Sequence, residues 1–451
     1  MAQIRGGATW ISGTQVLFAR QPGIEVKTSD QAMAGAVRIV IRTINLKPFK
    51  QCAKSFRVPI MINAIMLVCM VSFVVINQLS GFVFPGGRND YQIYYYAART
   101  FFNVDPLRLY DAAFFQAAYN LSPYRYFPAE LVFFYPFTFM DSMQSYVVFS
   151  VICFFFSLAT IYTSAKILGI LGMATDASDP FSKKNSSWKY LAMFFMVAFQ
   201  LTNYGMGQLS SYVAFFSVLG LYFFLKGNEM AGSIMVGLSI VFKPVAIFIV
   251  LFLLMERDIK RLIKRVFFIA LPLLADAIIF LVNLDLLRSF IALNLNELGL
   301  SRFVLDPSLS FSYFISVLFQ LPTSYVFIAA TGACAIAGIL LLRKSRDSNQ
   351  RIVFSFIFGM ASFFIAQPDI WETQLLYLYP FLAIAFTFME RDFKKPLLFY
   401  SYTAYPFACV LLIFEVPRIV VIPVVAIWMF LYYIAIAKAH VKNGWIPANP
   451  V

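Results

Sequence analysis

The chain has 451 residues, 61% of them hydrophobic and only 13% charged, with one histidine, five cysteines and a net charge of +14. A water-facing globular domain is nearer half apolar and a quarter charged, so a soluble single domain is excluded. A single His440 leaves no Ser-His-Asp or Cys-His pair and no histidine-based metal centre, and no two cysteines share a CxxC spacing, so any proton transfer falls to a carboxylate, Lys or Tyr.

In chain order, residues 1–58 form a polar, basic extension with nine Lys/Arg and two acids and no apolar stretch of signal-peptide type. Within it, residues 33–58 mix apolar and basic side chains, as either an interfacial amphipathic helix on anionic lipid or an orientation-setting tail would. Residues 59–442 are predicted to form one polytopic all-α domain, followed by a short tail over 443–451. About 20 apolar residues cross the bilayer core, and on that measure crossings are predicted near 59–84, 127–141, 144–168, 190–206, 208–225 and 231–254. Further crossings fall near 266–284, 320–342, 352–366, 375–389, 396–414 and 419–437, about twelve in all by length.

Charge placement orients this bundle. The extension and the segments 255–265, 343–351, 390–395 and 438–442 hold 23 of the 36 basic residues but seven of the 22 acids. With twelve crossings all five fall on one side, which the positive-inside rule makes cytosolic, with both termini there. The charge therefore reports orientation and not nucleic-acid binding. The segment 169–189, with Lys183 and Lys184, is then external, mildly against the rule.

Two external loops carry polar chemistry. The first, about 85–126, contains Arg88, Asp90, Arg99, Asp105, Arg108, Asp111 and Arg125. Asn89 or Asp90 is placed to cap a helix running through Phe102, Asn103–Pro106 is a turn, and Asp111 caps a second helix over 112–120. Tyr91, Tyr94, Tyr95 and Ala98 recur at helical spacing, which predicts an aromatic face on the bilayer surface. Asp90 stands at the lipid–water boundary, where it is either a helix cap or a carboxylate whose basicity desolvation raises. The arginines are either snorkelling anchors or anion ligands. The second loop, about 285–312, offers Arg288, Glu297, Arg302 and Asp306. A shorter stretch, 367–374, adds Asp369, Trp371, Glu372 and Gln374 on the same side. Carboxylates, arginines and aromatics on one external surface suit a sugar-handling site.

Two ionisable residues interrupt apolar runs, Lys243 before Pro244 and Asp276. Intramembrane charge is costly, so each needs a partner or a cavity. Either the two pair with each other, or Lys243, at a helix broken by proline, holds a lipid phosphate.

The stretch from Gly86 to Phe137 resembles the opening of glycosyltransferase family 87, GT-C-fold enzymes that use polyprenyl-phosphate mannose. The matching residues are Asp90, Tyr94, Tyr95, Ala97, Ala98, Leu109, Tyr110, Tyr126 and Pro128, with Phe127 replacing the family's first proline. Gly207-Gln208, then Ala231-Gly232, Gly237 and Lys243-Pro244, are similar to later family motifs. The segment around Trp371 is similar to a late family loop, with Gln367-Pro368 for Ser-Pro and Thr373 or Gln374 where the family has His. The resemblance implies a GT-C-like bundle, over whose mouth the two helices of the first external loop are expected to lie at the membrane interface. It also implies Asp90 as catalytic base and no metal or other cofactor beyond the polyprenyl-phosphate sugar co-substrate. Arg88, Tyr94, Tyr95, Arg125, Tyr126, Gln208, Lys243, Trp371, Glu372 and Gln374 are then candidates for holding the donor phosphate or the substrates. The expected partners are a lipid-linked donor, a lipid or glycan acceptor and membrane lipids, in a prokaryotic cytoplasmic membrane. A flippase without transferase activity is the competing reading, but transporters place their charged sites near the midplane, whereas this chain gathers them in external loops.

Overall fold

The computed structural model describes residues 54, 57–79, 90–171, 198–256, 258–296, 308–343, 345, 348–389 and 418–443. Among them the fold is entirely helical. The N-terminal extension up to residue 53, the expected crossing at 396–414 and the tail 444–451 lie outside the described residues. Among the described residues, five helices are long and apolar enough to cross a membrane: α1 (Arg57–Leu79), α5 (Ser142–Ile170), α10 (Ile259–Val282), α13 (Thr323–Leu342) and α14 (Ser348–Ala366). Several of the remaining apolar helices are shorter, namely α7 (Ser210–Leu225), α8 (Glu229–Phe242), α9 (Ile247–Leu253) and α15 (Leu375–Met389). The core helix is α14, whose most apolar window is 89% buried, against 22% for α1, α10 and α13, which turn their apolar side chains outward. In a membrane protein such outward apolar faces meet lipid.

Polar side chains set the helix ends. Asp141 accepts from Met143 N and Gln144 N at the start of α5, Asn228 from Ala231 N at α8, and Asp258 from Lys260 N at α10. Each such cap satisfies an orphan N–H and contributes about 1 kcal/mol.

The first loop also matches its helical pattern. Here α2 (Asp90–Arg99) carries an acid in its first turn and a base in its last, the favourable sense for the helix dipole. A π-helical turn, Thr100–Val104, follows, then a 3-10 turn, Pro106–Tyr110, capped by Asp105. Asp111 caps α3 (Ala112–Tyr119), which ends on a left-handed Asn120.

Two predicted crossings take other forms. Residues 127–141 are three short pieces, a 3-10 turn at Pro128–Glu130, α4 (Leu131–Phe134) and a second turn at Tyr135–Phe139. Pro128 and Pro136, which donate no backbone hydrogen bond, each stand at the start of a 3-10 turn. Residues 231–254, read as one span, are two legs that reverse at Lys243. The guanidinium of Arg265 on α10 bonds Glu229 at 2.7 and 3.0 Å, the Leu253 carbonyl at 3.3 Å and Glu256 at 3.1 Å. A straight helix would hold Glu229 and Leu253 about 36 Å apart, so α8 and α9 must fold back on each other. Arg351 of α14 completes the network on Glu256 at 3.3 Å.

This reversal defines two ends of the bundle. One holds α2, the Gly207–Leu209 bend between α6 (Ala198–Met206) and α7, the Lys243 apex and the start of α15. The other holds the turn at Lys226–Asn228, the Arg265 network and Arg343. The remaining helices are α11 (Leu284–Asn296), α12 (Phe311–Phe319) and α16 (Arg418–Asn443).

Candidate active site

The tyrosines of α2 at positions 91, 94 and 95 and Ala98 share one face, but that face is not on the surface. Tyr91, Tyr94, Tyr95 and Ala98 are all buried, because α4, the turn after it and α5 supply an aromatic wall. Tyr94 stacks on Phe134 with centroids 5.0 Å apart and on Tyr126 at 5.8 Å, and Tyr91 packs on Phe149 at 4.9 Å. The periodicity was legible in sequence; the direction it faces depends on that wall. Tyr95 serves as an anchor, its hydroxyl donating to the Met140 carbonyl at 2.9 Å.

Burying this face brings Asp90, the first residue of α2, to the bend between α6 and α7. Gly207 adopts a positive φ of 63° there, a conformation a Cβ disfavours. Beyond it Gln208 is 8% exposed. Its amide nitrogen donates to Asp90 Oδ2. Its amide oxygen accepts from Lys243 Nζ at 2.5 Å and from the Tyr94 hydroxyl at 3.3 Å. Two donors on one side and a carboxylate on the other allow one orientation of the amide. Lys243 leaves α8 in an extended conformation and is 3% exposed. Its ammonium lies 5.5 Å from the centre of the Tyr126 ring and within electrostatic reach of Tyr377 and Asp90. Burial pushes the phenols of Tyr94 and Tyr126 up from their ordinary value, with Lys243 pulling Tyr126 the other way; both are neutral hydroxyls.

Behind this row lie two buried carboxyl groups. Glu130 accepts from the Tyr124 hydroxyl at 3.0 Å, and Asp276 Oδ1 accepts from the Ala129 backbone N–H at 2.7 Å. The other oxygen of each is buried without a hydrogen-bond partner. Lys243 and Asp276 are therefore not the ion pair that one reading of the sequence allowed: the lysine serves Gln208 and the aspartate fastens the segment after Phe127 to α10. Tyr124, Glu130 and Tyr377 are site neighbours that the sequence reading passed over. The available signal was Glu130, the one acid between Phe127 and Met140.

The other candidates are placed as follows. Arg88 lies outside the described residues, as do Glu297, Arg302 and Asp306. Arg125 is half-buried, and its carbonyl accepts from Asn294 Nδ2 of α11 at 3.5 Å. Arg288 pairs on the exposed surface with Asp285 at 2.8 Å. The Trp371 indole N–H donates to Asp369 Oδ1 at 2.6 Å. Its loop is fastened through Ile370, which bonds Ser308 and Leu309. Glu372 opens a short 3-10 turn, Glu372–Gln374, that leads into α15. The side-chain oxygen of Gln374 is buried without a partner. Five residues after Glu372, Tyr377 of α15 lies within electrostatic reach of Lys243, so this loop borders the same end of the bundle. Among the described residues no three His, Cys, Asp or Glu side chains gather as metal ligands.

The arrangement sets one carboxylate and one ammonium, bridged by an amide, among neutral phenols. A carboxylate accepts a proton from an attacking hydroxyl, and a buried ammonium stabilises an anionic leaving group. Comparison with curated proteins and with solved structures yields no match. The model of glycosyltransferase family 87 matches residues 124–368, which takes in Tyr126, Gln208 and Lys243 and leaves Asp90 and Trp371 outside the matched stretch. That match covers more than half of the chain, and the chain belongs to glycosyltransferase family 87, a GT-C-like family.

Proposed function

We propose that this glycosyltransferase moves a hexose, mannose by the family resemblance, from a polyprenyl-phosphate sugar to a lipid or glycan acceptor at the non-cytosolic face of a prokaryotic cytoplasmic membrane. The observation that carries the reading is the row Asp90–Gln208–Lys243 at one end of a membrane-length helical bundle. The acceptor oxygen attacks the anomeric carbon and its proton passes to the Asp90 carboxylate. The bond from that carbon to the phosphate oxygen breaks, and its electron pair leaves with the lipid phosphate. One displacement inverts the configuration at the anomeric carbon. Lys243 meets the departing phosphate as a charge-assisted donor. Tyr94 and Tyr126 present neutral hydroxyls, and by the family resemblance Arg88, Arg125 and the Trp371–Gln374 loop extend the binding surface.

The test uses purified full-length chain in detergent with radiolabelled polyprenyl-phosphate mannose and an alkyl mannoside or total lipid extract as acceptor. Wild type is expected to form labelled product without a sealed membrane, and Asp90→Asn to lose about 100-fold or more in turnover, the scale of a missing general base. Wild-type turnover in a folded Asp90→Asn protein would remove Asp90 as base. Transport of the lipid across vesicles with no product from either protein would favour a flippase.

A further inference from the structure

We propose that Gln208 is a positioning residue that keeps the base and the phosphate-binding cation apart. This rests on the reading of Asp90 and Lys243 given above. An ammonium and a carboxylate in a buried site attract strongly, and without an intervening group they would close into a direct ion pair. In that pair the carboxylate's lone pairs are occupied and the ammonium's charge is spent, so neither does its task. Gln208 stands between them with its dipole aligned to both charges: amide oxygen on Lys243 at 2.5 Å, amide nitrogen on Asp90. Its own position is set by the backbone. The Gln208 N–H donates to the Asn203 carbonyl at 3.1 Å after the positive-φ Gly207, and the Gln208 carbonyl accepts from Cys153 Sγ at 3.8 Å. The Tyr94 hydroxyl, on the same amide oxygen at 3.3 Å, holds that oxygen turned toward the lysine.

The spacer also prepares the site for its donor. A phosphate oxygen is a stronger acceptor for an ammonium than an amide oxygen is. A lipid-linked phosphate therefore takes Lys243 from Gln208, and Tyr94 remains to hold the amide oxygen. The amide nitrogen continues to fix the Asp90 carboxylate. Glutamate at this position would engage the lysine with a full charge and oppose both Asp90 and the phosphate. Asparagine, one methylene shorter, would not span the two.

The experiment measures binding of radiolabelled undecaprenyl phosphate to the purified full chain, which needs no acceptor and no turnover. In Gln208→Met, close in size but without the amide, Asp90 captures Lys243 and affinity falls about tenfold or more, the loss of a charge-assisted contact. Adding Asp90→Asn to Gln208→Met frees the lysine and returns affinity to near the wild-type value. A side chain with a packing role alone gives no such rescue. Wild-type affinity in Gln208→Met, or a loss that Asp90→Asn does not relieve, would overturn the proposal. Should Gln208→Met not yield folded protein, Gln208→Glu carries the test. Its carboxylate engages Lys243 at full charge, so affinity is expected to fall about tenfold or more; wild-type affinity in this variant is the contrary result. The base assignment is judged separately, by transfer in Asp90→Asn alone, so the failure of either idea leaves the other standing or falling on its own measurement.

Discussion

Adjacent tyrosines on α2 do different work, and what separates them is the acceptor that each hydroxyl meets. The Tyr94 hydroxyl meets the Gln208 amide oxygen inside the site, whereas the Tyr95 hydroxyl meets the Met140 carbonyl. Replacing either by Phe keeps the ring and its stacking. Tyr95→Phe leaves a backbone carbonyl short of one donor, which costs about 1 kcal/mol of stability and should lower the melting temperature with turnover intact. Tyr94→Phe keeps the stacks on Phe134 and Tyr126 but loosens the amide between Asp90 and Lys243. Its expected effect is a several-fold fall in turnover, about the worth of one neutral hydrogen bond, with little change in melting temperature. Thermal unfolding and transfer rate measured side by side separate the two. The sequence distinguished neither tyrosine, since both share one spacing; the partners come from Met140 and Gln208, 45 and 114 positions away.

At the scale of elements, the lysine reaches the site because two short legs meet at an apex, and glycines let those legs pack. A Cβ on Gly237 of α8 would run into the Ile269 carbonyl and the Pro272 ring of α10, the latter at 3.0 Å. One on Gly359 of α14 would lie 2.8 Å from Ile249 Cα of α9. Gly332 of α13 has open space around its missing side chain. Gly237→Ala is therefore expected to destabilise by about 1–3 kcal/mol through overpacking, and to displace Lys243 enough to weaken lipid-phosphate binding. Gly332→Ala should be neutral or raise stability by up to about 1 kcal/mol, the helix propensity gain. A melting temperature that falls equally in both variants would contradict this account of the glycines. Most helices were legible in the sequence because an apolar run is a local property: the runs at 144–168, 208–225 and 352–366 return as α5, α7 and α14, whereas α10, capped by Asp258, begins at Ile259, seven residues before the expected crossing at 266–284. The reversal at Lys243 was not, because Pro244 in an apolar run fits a kinked helix as well as a turn. Arg265, which bonds both legs, and the extended backbone of Lys243 decide for the turn.

At the scale of the molecule, the two departures from the predicted crossings offset each other. Residues 127–141 remove one passage and the reversal at Lys243 adds one, so among the described residues the segments from 258 onward stand at the ends of the bundle that the twelve-crossing reading expects for them. Between the two, the assignment flips. Lys226, external in the sequence reading, stands in the structure at the same end as Arg265 and Arg343, alongside the basic segments that the positive-inside rule makes cytosolic. The 169–189 loop lies for the most part outside the described residues, but α5 runs from Asp141 past Cys153, which touches the Gln208 carbonyl, and ends at Ile170 away from the site. The C-terminus of α5 thus stands at the basic end. Cysteine labelling tests this arrangement directly. In a background with Cys52, Cys69, Cys153, Cys334 and Cys409 replaced by Ala or Ser, Leu107→Cys and Lys226→Cys each place one thiol on an exposed position at opposite ends. A membrane-impermeant maleimide applied to intact cells should label Leu107→Cys and leave Lys226→Cys untouched until the membrane is opened. Labelling of both from outside would restore residues 231–254 as a single crossing, and with it Lys243 to the middle of a span instead of the apex beside Asp90. Labelling of Lys226→Cys alone would turn the whole bundle over and place the site on the cytosolic face.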